Sequence, residues 1–264
     1  MSLDDLRRLT PLGLKVAVAR AASGDTAGRL VRWMSGGTVS KSGLKFRSEP
    51  GSPPAIYAQI ALGLYERAEL HMITRFLDGS TDVVELGASI GITTCNIARQ
   101  AKGRRVIAVE AASSLIGAAQ ANLTLNDLTN VTLVNKAIAY GCGPTVKFSE
   151  SSVAGKLDAH GTIEVPAITL SELLSEHGID EFVLVADVEG AELPIFLHDA
   201  PAIARCKRIL IEMDGGDYDG RHWNPDAIEA LIVGHGFERI YRHGPCATFD
   251  RIPSQSDIAL KECR

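Results

Sequence analysis

The amino-acid sequence predicts an α/β fold in which a mostly parallel β-sheet carries helices on both faces. From residue 82 onward, runs rich in β-branched residues alternate with segments typical of helices, which is the pattern of a parallel sheet. The 264 residues are 45% hydrophobic, enough for one large core with an appended segment. Acidic residues follow several predicted strands, and the carboxyl ends of parallel strands form the edge where such folds bind ligands.

Strands and helices are predicted in alternation after a first helical stretch. Residues 55–77 are predicted as one helix, because apolar residues recur on one face. Two further strand-like runs, 145–149 and 162–168, predict a small hairpin beside the main sheet. The main predicted strands are 82–86, 105–110, 131–137, 182–188, 208–213 and 237–242, and the helices that follow are 92–102, 113–125, 170–177, 191–197 and 225–234.

The first 55 residues are predicted to form a separate N-terminal extension. Ser2 can cap a short helix, and Thr10-Pro11 can begin another with proline at its first position. Residues 35–54 are rich in Gly, Ser and Pro and are predicted as a loop. We therefore predict a helical and loop extension over 1–55, followed by one domain over 56–264.

Net charge and cysteine content indicate which binding partners and which cellular compartment to expect. The net charge is -5 without a long basic run, so no nucleic-acid partner is expected. The five cysteines are scattered and form no C-x-x-C pair, which favours reduced thiols in a cytoplasmic protein. The apolar run 12–22 is interrupted by Lys15 and Arg20 and is too short to span a membrane. The sequence leaves the oligomeric state open.

The most informative segment is a buried strand that enters a glycine-rich turn at residues 83–91. A missing side chain at Gly87 and Gly91 lets backbone amides approach a charged ligand, and Glu85 can reach the same region. Glu110 ends the next strand, where a carboxylate can accept both hydroxyls of a ribose. The G-x-x-x-G spacing differs from the G-x-G-x-x-G of nicotinamide binders and points to S-adenosylmethionine. The alternative is an ordinary tight strand–turn–helix connection. The predicted cofactor-binding residues are Glu85, Gly87, Ala88, Ser89, Gly91 and Glu110.

A second group of acids follows the strand predicted over 182–188. Asp187 should lie at the ligand edge of the sheet and is the first candidate for a general base that accepts a proton from a substrate hydroxyl. Glu189 is the third predicted catalytic residue, which orients the base or holds a substrate hydroxyl. Glu189 and Glu192 also suit the first turn of the next helix, where negative charge is favourable.

A glycine-rich acidic loop follows the next strand at residues 214–223. His222 from this loop is the second candidate base, and the neighbouring aromatic residues suit a sugar-like substrate. A solvated loop without function is the alternative. Asp214, Asp217 and Asp219 offer oxygen ligands for a divalent metal, but their spacing matches no known calcium loop, and no metal site is predicted.

These residues resemble the FkbM family of S-adenosylmethionine-dependent methyltransferases over about residues 60–215. The resemblance implies a class I methyltransferase fold, which is Rossmann-like, and O-methylation of hydroxyls on sugars, glycans or polyketide-like metabolites. The sequence departs from the family at Glu85, where the family has aspartate, and at Val185, where it often has lysine. The matching elements are Tyr65-Glu66 with Glu69, residues 85–91, Val109-Glu110, residues 122–126, Asn130-Val131, Thr169-Leu170, residues 187–192 and Ile211-Glu212.

The expected function is therefore S-adenosylmethionine-dependent O-methylation of a small-molecule or glycan acceptor. An NAD-dependent oxidoreductase shares the sheet and the ribose-binding acid, although G-x-G-x-x-G is absent. A methyltransferase-like fold that has lost catalysis and serves as a binding scaffold is the other alternative.

Overall fold

A computed structural model describes residues 24–47, 53–150, 155–157, 161–188 and 190–253. The chain divides into two compact units, Met1–Arg67 and Ala68–Arg264, and the domain boundary expected after residue 55 stays a prediction. The short helices expected to begin near Ser2 and Pro11 lie outside the described residues. Among the residues described, no helix is long and apolar enough to cross a membrane.

The described part of the first unit is two helices and a hairpin. Residues 35–54, expected to be a loop, contain the hairpin, so that expectation is wrong for this stretch. Ser42 and Gly43 both have positive φ, 50° and 81°, which is the backbone of a two-residue turn that matches strand twist. The elements are helix α1, Asp25–Met34; strands β1, Val39–Lys41, and β2, Leu44–Phe46; and helix α2, Ala55–Leu62.

The single helix expected over residues 55–77 is wrong, because the helix is interrupted at Gly63. Helix α2 ends there, with Gly63 in the left-handed region at φ 66°. The Leu64 amide donates to the Gln59 carbonyl at 2.8 Å, a bond that satisfies a helix-terminal carbonyl. A second helix, α3, spans Arg67–Phe76. The apolar periodicity continues across the break, which is why the sequence pattern concealed it.

The second unit alternates strands and helices as expected. Its strands are β3, Asp82–Leu86; β4, Val106–Val109; β5, Val131–Val134; β6, Ala137–Ile138; β7, Thr145–Glu150; β8, Gly155–Leu157; β9, Ile163–Ile168; β10, Phe182–Ala186; β11, Cys206–Glu212; β12, Gly216–Tyr218; β13, Arg221–Trp223; β14, Phe237–His243; and β15, Cys246–Arg251. Its further helices are α4, Ile92–Gln100; α5, Ser113–Leu125; α6, Leu170–Glu176; α7, Glu192–His198; α8, Ala200–Arg205; and α9, Pro225–Gly234.

Seven strands form the main sheet in the order β14-β15-β11-β10-β3-β4-β5. Strands β5, β4, β3, β10 and β11 are mutually parallel, whereas β15 runs antiparallel between β11 and β14. The mostly parallel sheet is therefore confirmed. Strand β15 was not predicted, because polar residues at Thr248 and Asp250 interrupt its apolar pattern.

Helices cover both faces of this sheet, as predicted. On one face, Met72, Ile73 and Ile97 from α3 and α4 pack on the strands. On the other face, helices α6, α7 and α9 contribute residues such as Leu173 and Ile195. The small sheet β6-β9-β7-β8 contains the expected hairpin, since β7 and β9 pair antiparallel.

Among the parallel strands, the strand order reverses direction between β3 and β10. The chain runs from β3 outward to β4 and β5, then returns to the other side of β3 as β10. In open α/β sheets, ligands bind outside the carboxyl ends of the strands at such a reversal. Here those ends lead into Gly87 and Asp187.

The described cysteines, Cys95, Cys142, Cys206 and Cys246, are all free. Burial raises the pKa of the Cys95 and Cys206 thiols to about 12, so both stay protonated at neutral pH. Cys142 is exposed in the turn between β6 and β7.

Candidate active site

The carboxyl ends of β3, β4 and β10 are held together by backbone hydrogen bonds. The amides of Gly87 and Ala88 both donate to the Val109 carbonyl, at 2.9 and 3.0 Å, and the Asp187 amide donates to the Leu86 carbonyl at 3.0 Å. The predicted glycine turn and the predicted base are therefore neighbours at the strand reversal.

The two glycines of the turn are required by packing within the protein. Gly87 has φ 93°, and a Cβ there would lie 1.9 Å from the Asp187 carbonyl oxygen. Gly91 has φ 80°, and its Cβ would lie 2.9 Å from Cα of Ala119 on α5. Both distances are shorter than a carbon atom tolerates, so close approach of strands and helices is sufficient to explain these glycines. A role in cofactor binding stays a prediction.

Glu110 is positioned by backbone amides at the end of β4. Its Oε2 accepts from the Ser89 amide and its Oε1 from the Ala112 amide, both at 2.7 Å. Ser89 adopts a positive φ of 48°, a conformation that costs free energy in a residue with a side chain. A carboxylate has about four lone-pair sites, and binding of ribose hydroxyls by Glu110 stays a prediction.

Glu85 is a buried carboxylate on β3 whose two oxygens have no hydrogen-bond partner in the described residues. Burial raises the pKa of Glu85 to about 7, with the nearby Thr94 and Thr93 hydroxyls opposing the rise and the Glu110 charge adding to it. Unpaired buried carboxylates are costly. A ligand cation such as the ammonium of an amino acid would relieve that cost, so the site fits the amino-acid end of S-adenosylmethionine.

Glu192 supports the turn that follows β10. Its fully buried side chain bends back so that Oε1 accepts from the Val188 amide at 2.9 Å and from the Gly190 amide at 3.3 Å. Burial raises the pKa of Glu192 to about 7, and these backbone bonds oppose the rise. Glu192 begins α7, but it stabilises the turn rather than a helix end facing solvent. Glu189 lies outside the described residues.

Asp187 is shared by two groupings of three carboxyl groups, so four other acidic side chains lie near it. One oxygen of Asp187 lies within 4.8 Å of ligand atoms on Glu69 and Glu212, and a second grouping of the same kind joins Asp187 to Glu192 and Asp214. The two groupings could each offer oxygen ligands to a divalent cation, although acidic clusters are common without one. Sequence reasoning did not propose Glu69 or Glu212 as site residues. The signal available was that Glu212 ends the strand next to β10.

The loop carrying His222 is a short hairpin. Strands β12 and β13 pair so that Asp217 faces His222, and the Asp217 carboxylate bonds His222 Nδ1 at 2.8 Å. Both side chains are exposed. Within the described residues, this bond links His222 to its own hairpin and not to the carboxylates around Asp187, so its catalytic role stays a prediction.

The sheet order, the turn at the strand reversal and the acid at the end of β4 define a Rossmann-like class I methyltransferase fold. A family profile described as the methyltransferase FkbM domain matches residues 85–239, more than half of the chain. This protein belongs to that family and is an S-adenosylmethionine-dependent methyltransferase. The family match supersedes the NAD-dependent oxidoreductase alternative.

Similar solved structures are distant in sequence. The N-terminal domain of EvdMO1 with SAH bound has 13% identity and a TM-score of 0.47, covering 86% of this chain and 96% of that one. Precorrin-6y C5,15-methyltransferase from Geobacter metallireducens has 16% identity and a TM-score of 0.41, covering 70% and 89%. EvdMO1 itself has 16% identity and a TM-score of 0.43 over 70% of this chain; the match spans 41% of EvdMO1. A search of curated proteins finds no match.

Proposed function

We propose that this protein transfers the methyl group of S-adenosylmethionine to a hydroxyl of a sugar, glycan or secondary metabolite. The observation that carries the proposal is the group of carboxylates around Asp187, within reach of the strand reversal. Carboxylates accept hydrogen bonds from hydroxyls, so several of them at one edge suit an acceptor that presents several hydroxyls. The cytoplasmic location expected from the scattered thiols belongs to the same proposal.

The cofactor would be held by residues of β3, β4 and the turn between β3 and α4. Glu110 would accept ribose hydroxyls, and Glu85 would pair with the ammonium. The backbone from Gly87 through Ala88 and Ser89 to Gly91 would lie against the amino-acid end. S-adenosylmethionine supplies an electrophilic methyl group on a sulfonium sulfur, and these residues orient it.

Asp187 is the proposed general base. A neutral alcohol is a poor nucleophile, so its proton must leave as the new carbon–oxygen bond forms. Asp187 would take that proton as the bond forms, because it lies at the strand reversal next to the predicted cofactor turn. Glu189 would hold a substrate hydroxyl or orient the base.

The test is methylation by the purified chain across a panel of acceptors. Free sugars, nucleotide sugars, glycolipids and polyhydroxylated metabolites are offered with S-adenosylmethionine, and amines and thiols serve as controls. We expect release of S-adenosylhomocysteine with a methyl ether as product. Methylation confined to nitrogen or sulfur would contradict the proposal. Absence of turnover on every acceptor, despite cofactor binding, would favour the scaffold alternative.

The Asp187→Asn variant tests the assignment of the base. Loss of a general base costs about 10²- to 10⁴-fold in turnover, so kcat should fall by that factor while affinity for S-adenosylhomocysteine changes little. His222→Ala is the matched comparison, and it should keep most of the activity. Full turnover in Asp187→Asn with loss in His222→Ala would transfer the role to His222.

A further inference from the structure

Helix α1 presents an exposed apolar face in the N-terminal unit. Leu30, Trp33 and Met34 are spaced by three and four residues, so they share one side of the helix. Their exposed fractions are 55%, 80% and 71%. A contiguous apolar patch that includes a largely exposed tryptophan is uncommon on a soluble surface and marks an interaction site.

The other side of α1 is fixed against α2. A Cβ at Gly28 would lie 1.8 Å from the Pro54 carbonyl oxygen, so the two segments are in close backbone contact. The Arg32 guanidinium lies over the Tyr57 ring at 5.7 Å. The helix is therefore held with Leu30, Trp33 and Met34 directed away from α2, and the apolar face is already formed before any partner binds.

The described part of the N-terminal unit carries a net positive charge, although the chain as a whole is acidic. Its described residues, 24–47 and 53–67, contain six Lys and Arg against two Asp and Glu, whereas the whole chain contains 27 against 32. Arg29 lies four residues before Trp33 on the same side of the helix, and its side chain is exposed. The first unit thus combines an apolar face with a local positive charge that the net charge of -5 conceals.

We propose that the N-terminal unit docks on an anionic lipid bilayer through this apolar face. Trp33 would enter the interface between headgroups and acyl chains, where tryptophan is favoured, with Leu30 and Met34 beside it. Arg29 would reach the lipid phosphates while its stem covers apolar surface. A basic amphipathic helix with a large aromatic residue is the pattern of an interfacial helix.

The chemistry of the face favours a bilayer over a macromolecule. A helix face with three protruding apolar side chains needs no matching groove in a bilayer. Nucleic acid would use the arginines but would leave Leu30 and Met34 in water. The proposal is independent of the acceptor, because it concerns the first unit alone.

Tryptophan fluorescence with vesicles is the direct test. The chain has two tryptophans, so Trp223→Phe leaves Trp33 as the single reporter. Vesicles of phosphatidylcholine, with and without phosphatidylglycerol, are titrated into the protein. We expect a blue shift and co-sedimentation with the anionic vesicles only, weakening as salt is raised. Lipids brominated high on the acyl chain should quench Trp33. If Trp223→Phe is unstable, co-sedimentation of the unmodified chain gives the same answer.

Surface variants distinguish insertion of apolar side chains into the bilayer from electrostatic attraction to its anionic headgroups. Trp33→Ser should weaken vesicle partitioning roughly tenfold, and Arg29→Gln roughly fivefold. Val233→Ser is the matched control, because Val233 is 48% exposed on α9 in the second unit, and it should bind as the unmodified chain does.

Three outcomes would overturn the proposal. They are failure to bind anionic vesicles, binding that Trp33→Ser leaves unchanged, and self-association through the same residues without lipid. Methylation of water-soluble acceptors is measured separately and should not change in Trp33→Ser, so a failure here leaves the proposed reaction untouched.

Discussion

Glu85 is a buried ionisable group whose carboxyl oxygens have no hydrogen bond of normal geometry within the described residues. Its protonation therefore affects the stability of the protein, and we expect it to affect cofactor binding. Its pKa rises from 4.5 in a free carboxyl to about 7 in the folded protein. Between those values the folded state retains a proton that the unfolded state releases. The free energy of unfolding therefore falls as pH rises from about 4.5 through 7, because the folded chain must then bury a charge.

We predict that Glu85→Gln stabilises the unliganded protein at pH 8 but not at pH 5. The shift in pKa corresponds to a gain on the order of 3 kcal/mol at pH 8, since glutamine never ionises. Urea denaturation at the two pH values measures it, and Glu238→Gln, an exposed position on β14, is the matched control. Equal stability of Glu85→Gln and the unmodified chain at pH 8 would refute the burial argument.

The same variant should lose the stabilisation that S-adenosylmethionine gives. The ammonium needs an ionised partner, so affinity in the unmodified chain should fall as pH drops below about 7, and Glu85→Gln should bind weakly at every pH. Calorimetric titration across pH 5–8 measures both. Unchanged affinity in Glu85→Gln would place the ammonium elsewhere.

Glu192 is predicted to act through the turn that carries Asp187. Glu192→Ala leaves two backbone amides without an acceptor, at about 1–3 kcal/mol each, so unfolding should be easier by about 2–4 kcal/mol and turnover should fall. Glu192→Gln keeps an accepting oxygen and should retain most stability at pH 7. If Glu192→Ala and Glu192→Gln have the same stability and turnover, the turn does not depend on the hydrogen bonds to the Val188 and Gly190 amides.

The strand ends at the reversal depend on Gly87. We predict that alanine substitution lowers the free energy of unfolding least at Gly103, more at Gly91 and most at Gly87. All three have positive φ near 80–93°, but a Cβ at Gly103 meets nothing within 4 Å, whereas it meets Ala119 at Gly91 and backbone at Gly87. Gly103→Ala should cost about 1–2 kcal/mol from the backbone alone, and Gly87→Ala several kcal/mol in total.

Thermal and urea denaturation of the three variants give the order. If Gly87→Ala does not fold, Gly91→Ala against Gly103→Ala still tests the effect of contact at matched φ. Equal losses at Gly87 and Gly103 would mean that conformation alone, and not the approach of β10, requires glycine at the turn.

Helices and strands with a regular pattern of apolar residues could be predicted from the sequence. Breaks and turns that depend on the backbone conformation of one or two residues could not. Strand β3 was predicted at both ends and β10 at its amino end, because both are rich in the β-branched and apolar residues of a covered sheet. The helix break at Gly63 and the turn at Ser42-Gly43 depend on local left-handed backbone, which apolar periodicity does not register. Strand β15 is held between β11 and β14, so its strand character comes from its neighbours more than from its own sequence.

Acidic residues of the candidate site could be predicted where they lie at or near the ends of strands. They could not be predicted where helix packing brings them to the site. Glu85, Glu110 and Asp187 could be proposed because the carboxyl ends of parallel strands share an edge. Glu69 comes from α3, and its approach to Asp187 and Glu212 depends on how that helix packs. His222 lies on the β12–β13 hairpin and contacts Asp217 there. The sequence predicted a loop at this place because the segment is rich in glycine, and a loop does not fix the position of His222.

For the molecule as a whole, cofactor binding should raise the melting temperature. A ligand at about 100 times its dissociation constant adds about 2.7 kcal/mol, which is roughly 5–10 °C for a protein of this size. S-adenosylmethionine and S-adenosylhomocysteine should both give the rise, and NAD should not. A rise with NAD alone would be incompatible with the cofactor site described for β3 and β4.

The distribution of thiols makes Cys142 a natural attachment point for a reporter. Cys95 and Cys206 are buried and protonated, and Cys246 is buried beside Glu212, so alkylating reagents that need an exposed thiolate should pass them by. Cys263 lies outside the described residues, and its replacement by serine leaves Cys142 as the accessible thiol among those described. A spin label or fluorophore placed there would report from the edge of the small sheet without engineering a new cysteine into the chain.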